Sequence, residues 1–265
     1  MQARSETSLE YGTRAAWGVI IATVLGSGIA FLDSTIVNVA LPKMEEDLGG
    51  GLAGLQWTVD AYLLTLGAFL LLGGSLGDLY GRRKMFVYGL GGFAVASALC
   101  GLAPSIGALI AARALQGVGA ALLVPGSLAI IQATFRPQDR SRAIGAWSGL
   151  AGVTTAIGPF VGGYLVDAVS WRLVFFINLP LAALAIYMAI HHIPETRDEE
   201  ATKTPDVKGA VAAALALGGI IYALIEGRPR GWTSPSILGS LVIGIVALVA
   251  FFIIEKRERH PMLPL

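Results

Sequence analysis

Blocks of about 20 consecutive apolar residues constrain the fold of this chain more than any other feature of its sequence. Eight such blocks are present, at about 15–41, 55–80, 85–103, 105–132, 141–166, 173–192, 209–226 and 236–254. An α-helix needs about 20 apolar residues to cross roughly 30 Å of hydrocarbon. Only 14% of the residues are charged, against about 25% in a soluble domain. The sequence therefore predicts an all-α, polytopic membrane helix bundle, because the short alternating segments of a β-barrel are absent.

The basic residues between the blocks predict how the helices are oriented. Arg82, Arg83 and Lys84 follow the second block, and further Lys and Arg residues follow the fourth, sixth and eighth. Together with the N-terminal segment, this side holds 14 of the 19 Lys and Arg residues. By the positive-inside rule, both termini of the chain are expected in the cytoplasm, and the protein is expected to be a multi-pass protein of the plasma membrane.

The spacing of the blocks divides the chain into five segments. Residues 1–14 form an N-terminal segment, 15–192 a six-helix bundle, 193–208 a polar linker, 209–254 a two-helix hairpin and 255–265 a tail. The first block lacks a clear cleavage site and therefore indicates a membrane helix, not a removed signal peptide. The tail resembles the approach to another helix, so we expect the chain to stop in the middle of a larger architecture.

Three ionisable side chains stand out because they lie well inside the blocks, where charge is energetically unfavourable. They are Asp33, Asp60 and Arg113. A rise of about 1.5 Å per residue places all three roughly 8–12 Å below the outer surface, so we expect them to share a cavity. This arrangement favours a proton and substrate site, in which the arginine offsets the desolvation of the acids. The alternative is a static ion pair that fixes helix register, and Asp60 is also shallow enough to reach the interface.

Other kinds of site find little support in the sequence. A net charge of +1 gives no reason to expect a nucleic-acid partner. The glycine-rich stretch 74–84 lacks the ending of a phosphate-binding loop, which argues against an ATP-driven pump. The histidines lie at or beyond helix ends, at 191, 192 and 260, without the nucleophile partner that an intramembrane enzyme needs. We therefore expect no catalytic residue, metal or cofactor.

Two glycine-containing motifs suggest moving parts. Gly158-Pro159 lies within the fifth block, where proline removes a backbone donor and kinks a helix. Tight static packing of the surrounding glycines is the alternative. The turn after the second block begins at Gly74 and contains Asp78 before Gly81 and the basic cluster. This turn is either a determinant of topology alone or a charge latch between helix ends, as alternating access requires.

These motifs together resemble the major facilitator superfamily, in its 14-helix drug:proton antiporter branch. The turn motif is Gly74-x-Leu76-x-Asp78-x-x-Gly81-Arg82-Arg83-Lys84, and the fourth block contains Leu109-x-x-x-Arg113-x-x-Gln116-Gly117. The fifth block contains Gly158-Pro159-x-x-Gly162-Gly163, although Thr154 replaces the glycine usual at the start of that motif. Two further similar segments are Leu32-Asp33-x-Thr35-Ile36-Val37-Asn38 and Trp171-Arg172 through Asn178-x-Pro180.

The resemblance implies two six-helix bundles with two extra helices between them, so a second bundle is expected beyond this chain. It implies proton-coupled antiport of amphipathic, cationic small molecules across the lipid bilayer, with the proton gradient as the energy source. The alternative is a half-size protein that must assemble with a second bundle. The residues implied are Asp33, Asp60 and Arg113 for proton coupling, Asp33, Asn38, Asp60, Gln116, Gly158 and Pro159 for the substrate cavity, and Gly74, Asp78, Gly81, Arg82 and Arg83 for the gate.

Overall fold

The computed structural model describes residues 8–198 and 207–257, and within these ranges the chain is helical. The helices are α1 (Arg14–Leu48), α2 (Gly51–Tyr80), α3 (Arg82–Gly101), α4 (Ile106–Thr134), α5 (Arg140–Ala168), α6 (Leu173–Phe176), α7 (Asn178–His192), α8 (Val207–Arg230) and α9 (Pro235–Arg257). They provide eight spans long and apolar enough to cross a membrane, with α6 and α7 forming one. This confirms the predicted all-α membrane bundle. Predictions on residues 1–7, 199–206 and 258–265, among them Arg4, Lys203 and His260, lie outside the described residues.

Helix α1 continues beyond the predicted end of the first block. It passes through Pro42 and ends at Leu48. A proline removes one backbone donor but need not end a helix when packing holds both sides, and Met44 is fully buried on the far side. The helix ends at Gly49, which has a φ of 68° and whose N–H donates to the carbonyl of Glu45. A glycine with positive φ, and not the proline, therefore sets this boundary.

The sixth span is interrupted where the sequence predicts one helix. The break between α6 and α7 falls at Ile177. Pro180 cannot donate to the carbonyl of Phe176 four residues earlier, which weakens the helix at this point. The hydroxyl of Ser97 on α3 donates to the neighbouring carbonyl of Phe175 at 2.8 Å. The break therefore brings main-chain and side-chain polar groups to one level of the bundle.

Helix α1 lies at the centre of the bundle, where it packs against α4, α5 and α7. Helix α2 packs against α4, and the α8–α9 hairpin contacts the bundle through α2. The α2–α4 contact is so close that a Cβ atom at Gly73 would lie 2.1 Å from the carbonyl oxygen of Ala121. Small residues thus let the backbones of these two helices touch.

The buried apolar residues form two separate cores along the bundle axis. Where the two cores approach each other, the first contains Ala30, Phe93, Ala120 and Ala182, and the second contains Ile36, Cys100, Ala112 and Phe175. On α1, α3 and α4, the residues between the two cores include buried polar side chains. The fold therefore holds one polar layer between two apolar cores.

Candidate functional site

The polar layer consists of five buried side chains from four helices. They are Asp33 on α1, Ser97 on α3, Arg113 and Gln116 on α4, and Asn178 on α7, each at most 1% exposed. Burial of polar and charged groups requires that they satisfy one another by hydrogen bonds. The contacts within the layer therefore decide what the site can do.

The Asp33 carboxylate accepts hydrogen bonds from three side chains. Its Oδ2 atom forms an ion pair with Nη1 of Arg113. Its Oδ1 atom accepts a hydrogen bond from Nε2 of Gln116 at 2.9 Å and another from Nδ2 of Asn178 at 2.8 Å. Hydrogen bonds to an ionised carboxylate are stronger than those between neutral groups. A proton that neutralised Asp33 would therefore weaken three contacts at once.

The Arg113 guanidinium joins the layer to α2. Its Nε atom donates to the carbonyl of Thr58 at 3.0 Å, and Nη1 donates to Oε1 of Gln116 at 2.7 Å. The ring of Tyr62 lies 4.3 Å from its Cζ atom, within range for a cation–π interaction. A change at Asp33 would therefore be transmitted through one side chain to both α2 and α4.

Asn178 and Ser97 extend the layer toward α3. Nδ2 of Asn178 donates to the Ser97 hydroxyl at 3.0 Å as well as to Asp33. Its Oδ1 atom is buried and accepts no hydrogen bond from the described residues. The layer therefore keeps one acceptor for a further donor. We did not predict either residue as part of the site, although a polar residue inside an apolar block was the available signal for both.

Asp60 does not join this layer. It is half-buried, and its side chain has no hydrogen bond or ion pair among the residues the structure describes. The ring of Tyr62 contacts Arg113. Tyr62 follows Asp60 by two residues, a spacing that places two side chains about 200° apart around a helix. Asp60 therefore has a depth similar to that of Arg113 but faces away from it. Its neighbours along the same face, Gln56, Leu63 and Gly67, are exposed.

The other residues predicted to line a cavity divide between the layer and the surface. Gln116 is within the layer, whereas Asn38 is exposed and donates to the carbonyl of Ser34 at 2.8 Å. Gly158 is buried against α1, and the adjacent Pro159 is exposed. Next to it, the side chains of Phe160 and Tyr164 are 82% and 72% exposed. Helix α5 therefore presents a broad uncovered face beside its proline.

The turn between α2 and α3 lies at the end of the bundle that we call the basic end, with Arg82, Arg83 and Lys84. Asp78 accepts a hydrogen bond from Nε of Arg82 at 2.8 Å, which closes the turn. Gly74, one turn earlier, lies close to Pro125 on α4. The structure thus brings Asp78 and Arg82 into direct contact.

Glu195 is the partner of this turn that the sequence did not identify. Its carboxylate accepts hydrogen bonds from the backbone N–H groups of Arg83 and Lys84 at 3.1 and 3.2 Å. It also pairs with Nε of Arg83 at 3.6 Å. Gly81 has a φ of 110°, and a Cβ atom there would lie 2.7 Å from Oε1 of Glu195. An acid from the segment after α7 therefore caps the start of α3, where the helix dipole favours negative charge.

Comparison with known proteins identifies the family. The family model of the Major Facilitator Superfamily matches residues 23–256. The multidrug resistance protein Stp of Mycobacterium tuberculosis is 40% identical over 247 residues, which cover 93% of this chain and 46% of that protein. The tetracenomycin C resistance and export protein of Streptomyces glaucescens is 39% identical over 249 residues, with coverage of 94% and 46%. This chain thus spans about half the length of these relatives.

Solved structures share the fold at low sequence identity. A crystal structure of the peptide transporter POT in complex with sulfate matches with a TM-score of 0.68 at 17% identity, covering 97% of this chain and 55% of that one. The human organic anion transporter MFSD10 matches with a TM-score of 0.59 at 18% identity, covering 90% and 71%. These matches support the helical architecture described above.

Proposed function

The chain belongs to the Major Facilitator Superfamily, and from this premise we propose that it is the first half of a proton-coupled drug exporter of the 14-helix branch. Its substrates are amphipathic, cationic compounds that leave the cell in exchange for protons, and both termini of this chain are cytoplasmic. Relatives named for multidrug resistance and for tetracenomycin C export support the efflux of small molecules. The α8–α9 hairpin, which follows six spans and packs against α2, supports the branch.

The observation that carries the proposal is the buried contact between Asp33 and Arg113. An intramembrane acid with three donors can exist in two states, ionised within its hydrogen bonds or protonated with those bonds weakened. Protonation from the outside would release Arg113 from Asp33, and Arg113 would pass the change to α2 and α4. One proton moving inward provides about 2.3 kcal/mol per 100 mV of membrane potential.

The two predicted acids take different parts in this proposal. Asp33 is fully buried and holds the proton. Asp60, on the uncovered side of α2, is placed to contact a cationic substrate directly. The exposed face of α5 beside Pro159 supplies apolar surface to the same kind of substrate. A second bundle would cover both faces and complete the cavity.

The contacts at the basic end form the gate in this proposal. Asp78, Arg82 and the capping acid Glu195 hold the ends of α2 and α3 to the segment that follows α7. Such a set of charged contacts can be made in one conformation and broken in another, which alternating access requires.

The experiment uses the full-length protein in proteoliposomes with an acidic lumen and ethidium, a cationic dye, outside. Proton-driven exchange concentrates ethidium in the vesicles. We expect Asp33→Asn to reduce this uptake to the level of protein-free vesicles, because the variant cannot exchange a proton. Glu45→Gln is the matched control, since that acid is exposed near the end of α1, the helix that carries Asp33, and its loss leaves uptake unchanged. Undiminished, pH-dependent uptake by Asp33→Asn would contradict the proposal.

A half-size protein that assembles with a separate second bundle is the other candidate. The large exposed aromatic side chains of α5 favour a covering partner of some kind. Purification of this chain with a complementary six-helix chain would support assembly. Robust transport by a single reconstituted polypeptide would exclude it.

A further inference from the structure

Pro159 leaves one carbonyl of α5 without its usual helical donor. In an α-helix the N–H of residue 159 would donate to the carbonyl of residue 155. Proline has no N–H, and Pro159 lies inside α5. An unpaired carbonyl inside hydrocarbon is strongly unfavourable, so a neighbouring group is needed to satisfy the Thr155 carbonyl.

That group is the hydroxyl of Thr35 on α1. Oγ1 of Thr35 lies 3.3 Å from the Thr155 carbonyl oxygen on α5. It also lies 2.9 Å from the carbonyl of Leu32 and 3.4 Å from that of Phe31, both on its own helix. A hydroxyl has one proton to donate. Thr35 can therefore donate a full hydrogen bond to a carbonyl of α1 or to one of α5, but not to both at once.

Two glycines of α5 let α1 and α5 approach closely enough for either hydrogen bond to form. A Cβ atom at Gly158 would lie 2.0 Å from Oγ1 of Thr35. One turn further on, a Cβ atom at Gly162 would lie 2.7 Å from Cγ1 of Ile36. The hydroxyl thus lies directly beside the proline kink, where a small bend of α5 changes the distance between Thr35 and the Thr155 carbonyl.

We propose that Thr35 is a positioning residue for the hinge in α5. Its hydroxyl donates to the Thr155 carbonyl in one conformation and to the Leu32 carbonyl in the other. Because Asp33 precedes Thr35 by two residues on α1, this exchange links the bend of α5 to the helix that carries the proton site. The hydrogen bond is inferred from the geometry alone, whereas its role in transport rests on the proposed function.

A double-mutant cycle tests the hydrogen bond in the full-length protein, by reversible unfolding in sodium dodecyl sulfate. Thr35→Val keeps the shape of the side chain and removes the hydroxyl. We expect it to lower the folding equilibrium constant by about five- to 150-fold, the range for leaving a buried acceptor unpaired. In a Pro159→Ala background the alanine N–H satisfies the Thr155 carbonyl, so the same substitution has less than about a threefold effect. Equal losses in both backgrounds would overturn the proposal.

Transport kinetics test the link to the hinge. Thr35→Val should lower the turnover number for ethidium with little change in KM, and Thr35→Ser, which restores a hydroxyl, should recover it. Thr155→Val is the matched control, because the Thr155 hydroxyl donates only within α5, to the Ala151 carbonyl at 3.0 Å. Normal turnover in Thr35→Val would refute the coupling. A full-length protein without any proton-driven transport would refute the proposed function and with it the coupling, while the unfolding cycle would still decide the hydrogen bond.

Discussion

Replacing either Asp33 or Arg113 alone should strongly destabilise the bundle, because the remaining charge stays buried without its partner. Each single leucine substitution leaves the opposite charge buried and unpaired, which costs about 3–5 kcal/mol. The double variant removes both charges and leaves only neutral partners unsatisfied, among them the amides of Gln116 and Asn178. At about 1–3 kcal/mol for each of these two amides, the double variant should lose roughly 2–6 kcal/mol. The single effects sum to about 6–10 kcal/mol. At the middle of both ranges, the two substitutions together should therefore cost about 4 kcal/mol less than that sum.

Reversible unfolding of the full-length protein in sodium dodecyl sulfate measures this coupling. Lys43 and Glu46 provide the control pair, since their Nζ and Oε2 atoms are 2.6 Å apart but their side chains are 52% and 63% exposed. Alanine substitutions there should show no measurable coupling, because exposed ion pairs contribute little. If the effects of Asp33→Leu and Arg113→Leu add to within about 0.5 kcal/mol, the two groups are not a coupled pair and the reasoning fails.

Three further predictions concern the contacts around the site. Glu195→Gln should weaken the cap on α3 by about 1 kcal/mol, seen as faster hydrogen exchange of the backbone amides of Arg83 and Lys84; unchanged exchange would refute the cap. Gly73→Ala should destabilise the protein by about 1–3 kcal/mol, because its Cβ would lie 2.1 Å from a carbonyl of α4. Gly67→Ala is the control in the same unfolding assay, since no atom lies within 4 Å of the added carbon, and an equal effect at both positions would contradict the packing argument. Trp57→Phe removes the 3.0 Å hydrogen bond to Glu226 and should loosen the α8–α9 hairpin, measured as faster hydrogen exchange in α8; exchange as slow as in the wild type would show that this bond does not hold the hairpin.

The membrane fold could be predicted from the sequence because the hydrophobic length of a span is a local property. The blocks identify the spans whatever their packing, and Asp33 and Arg113 stand out as charges in an apolar setting. Helix boundaries were predicted less accurately. The first predicted block stops before Pro42, whereas α1 ends at Leu48, where three consecutive glycines of positive φ begin at Gly49. Proline acts according to the packing around it, which the sequence does not display.

The residues that form the site could be predicted only in part, because they depend on which helix faces meet in the folded bundle. Depth along a helix follows from residue counting, and on that basis Asp60 was grouped with Arg113. The direction of a side chain around the helix depends on the packing of the neighbours, and this separates Asp60 from the layer. Asn178 and Glu195 enter the site from distant segments, so only the tertiary structure reveals their contacts.

Proton release on substrate binding tests the central claim, that Asp33 exchanges its proton for a cationic substrate. The measurement adds tetraphenylphosphonium, a lipophilic cation, to purified full-length protein in weakly buffered detergent solution and follows the pH. The account predicts that the wild-type protein releases protons as the cation binds, and that Asp33→Asn binds without releasing them. Undiminished release from Asp33→Asn would contradict it.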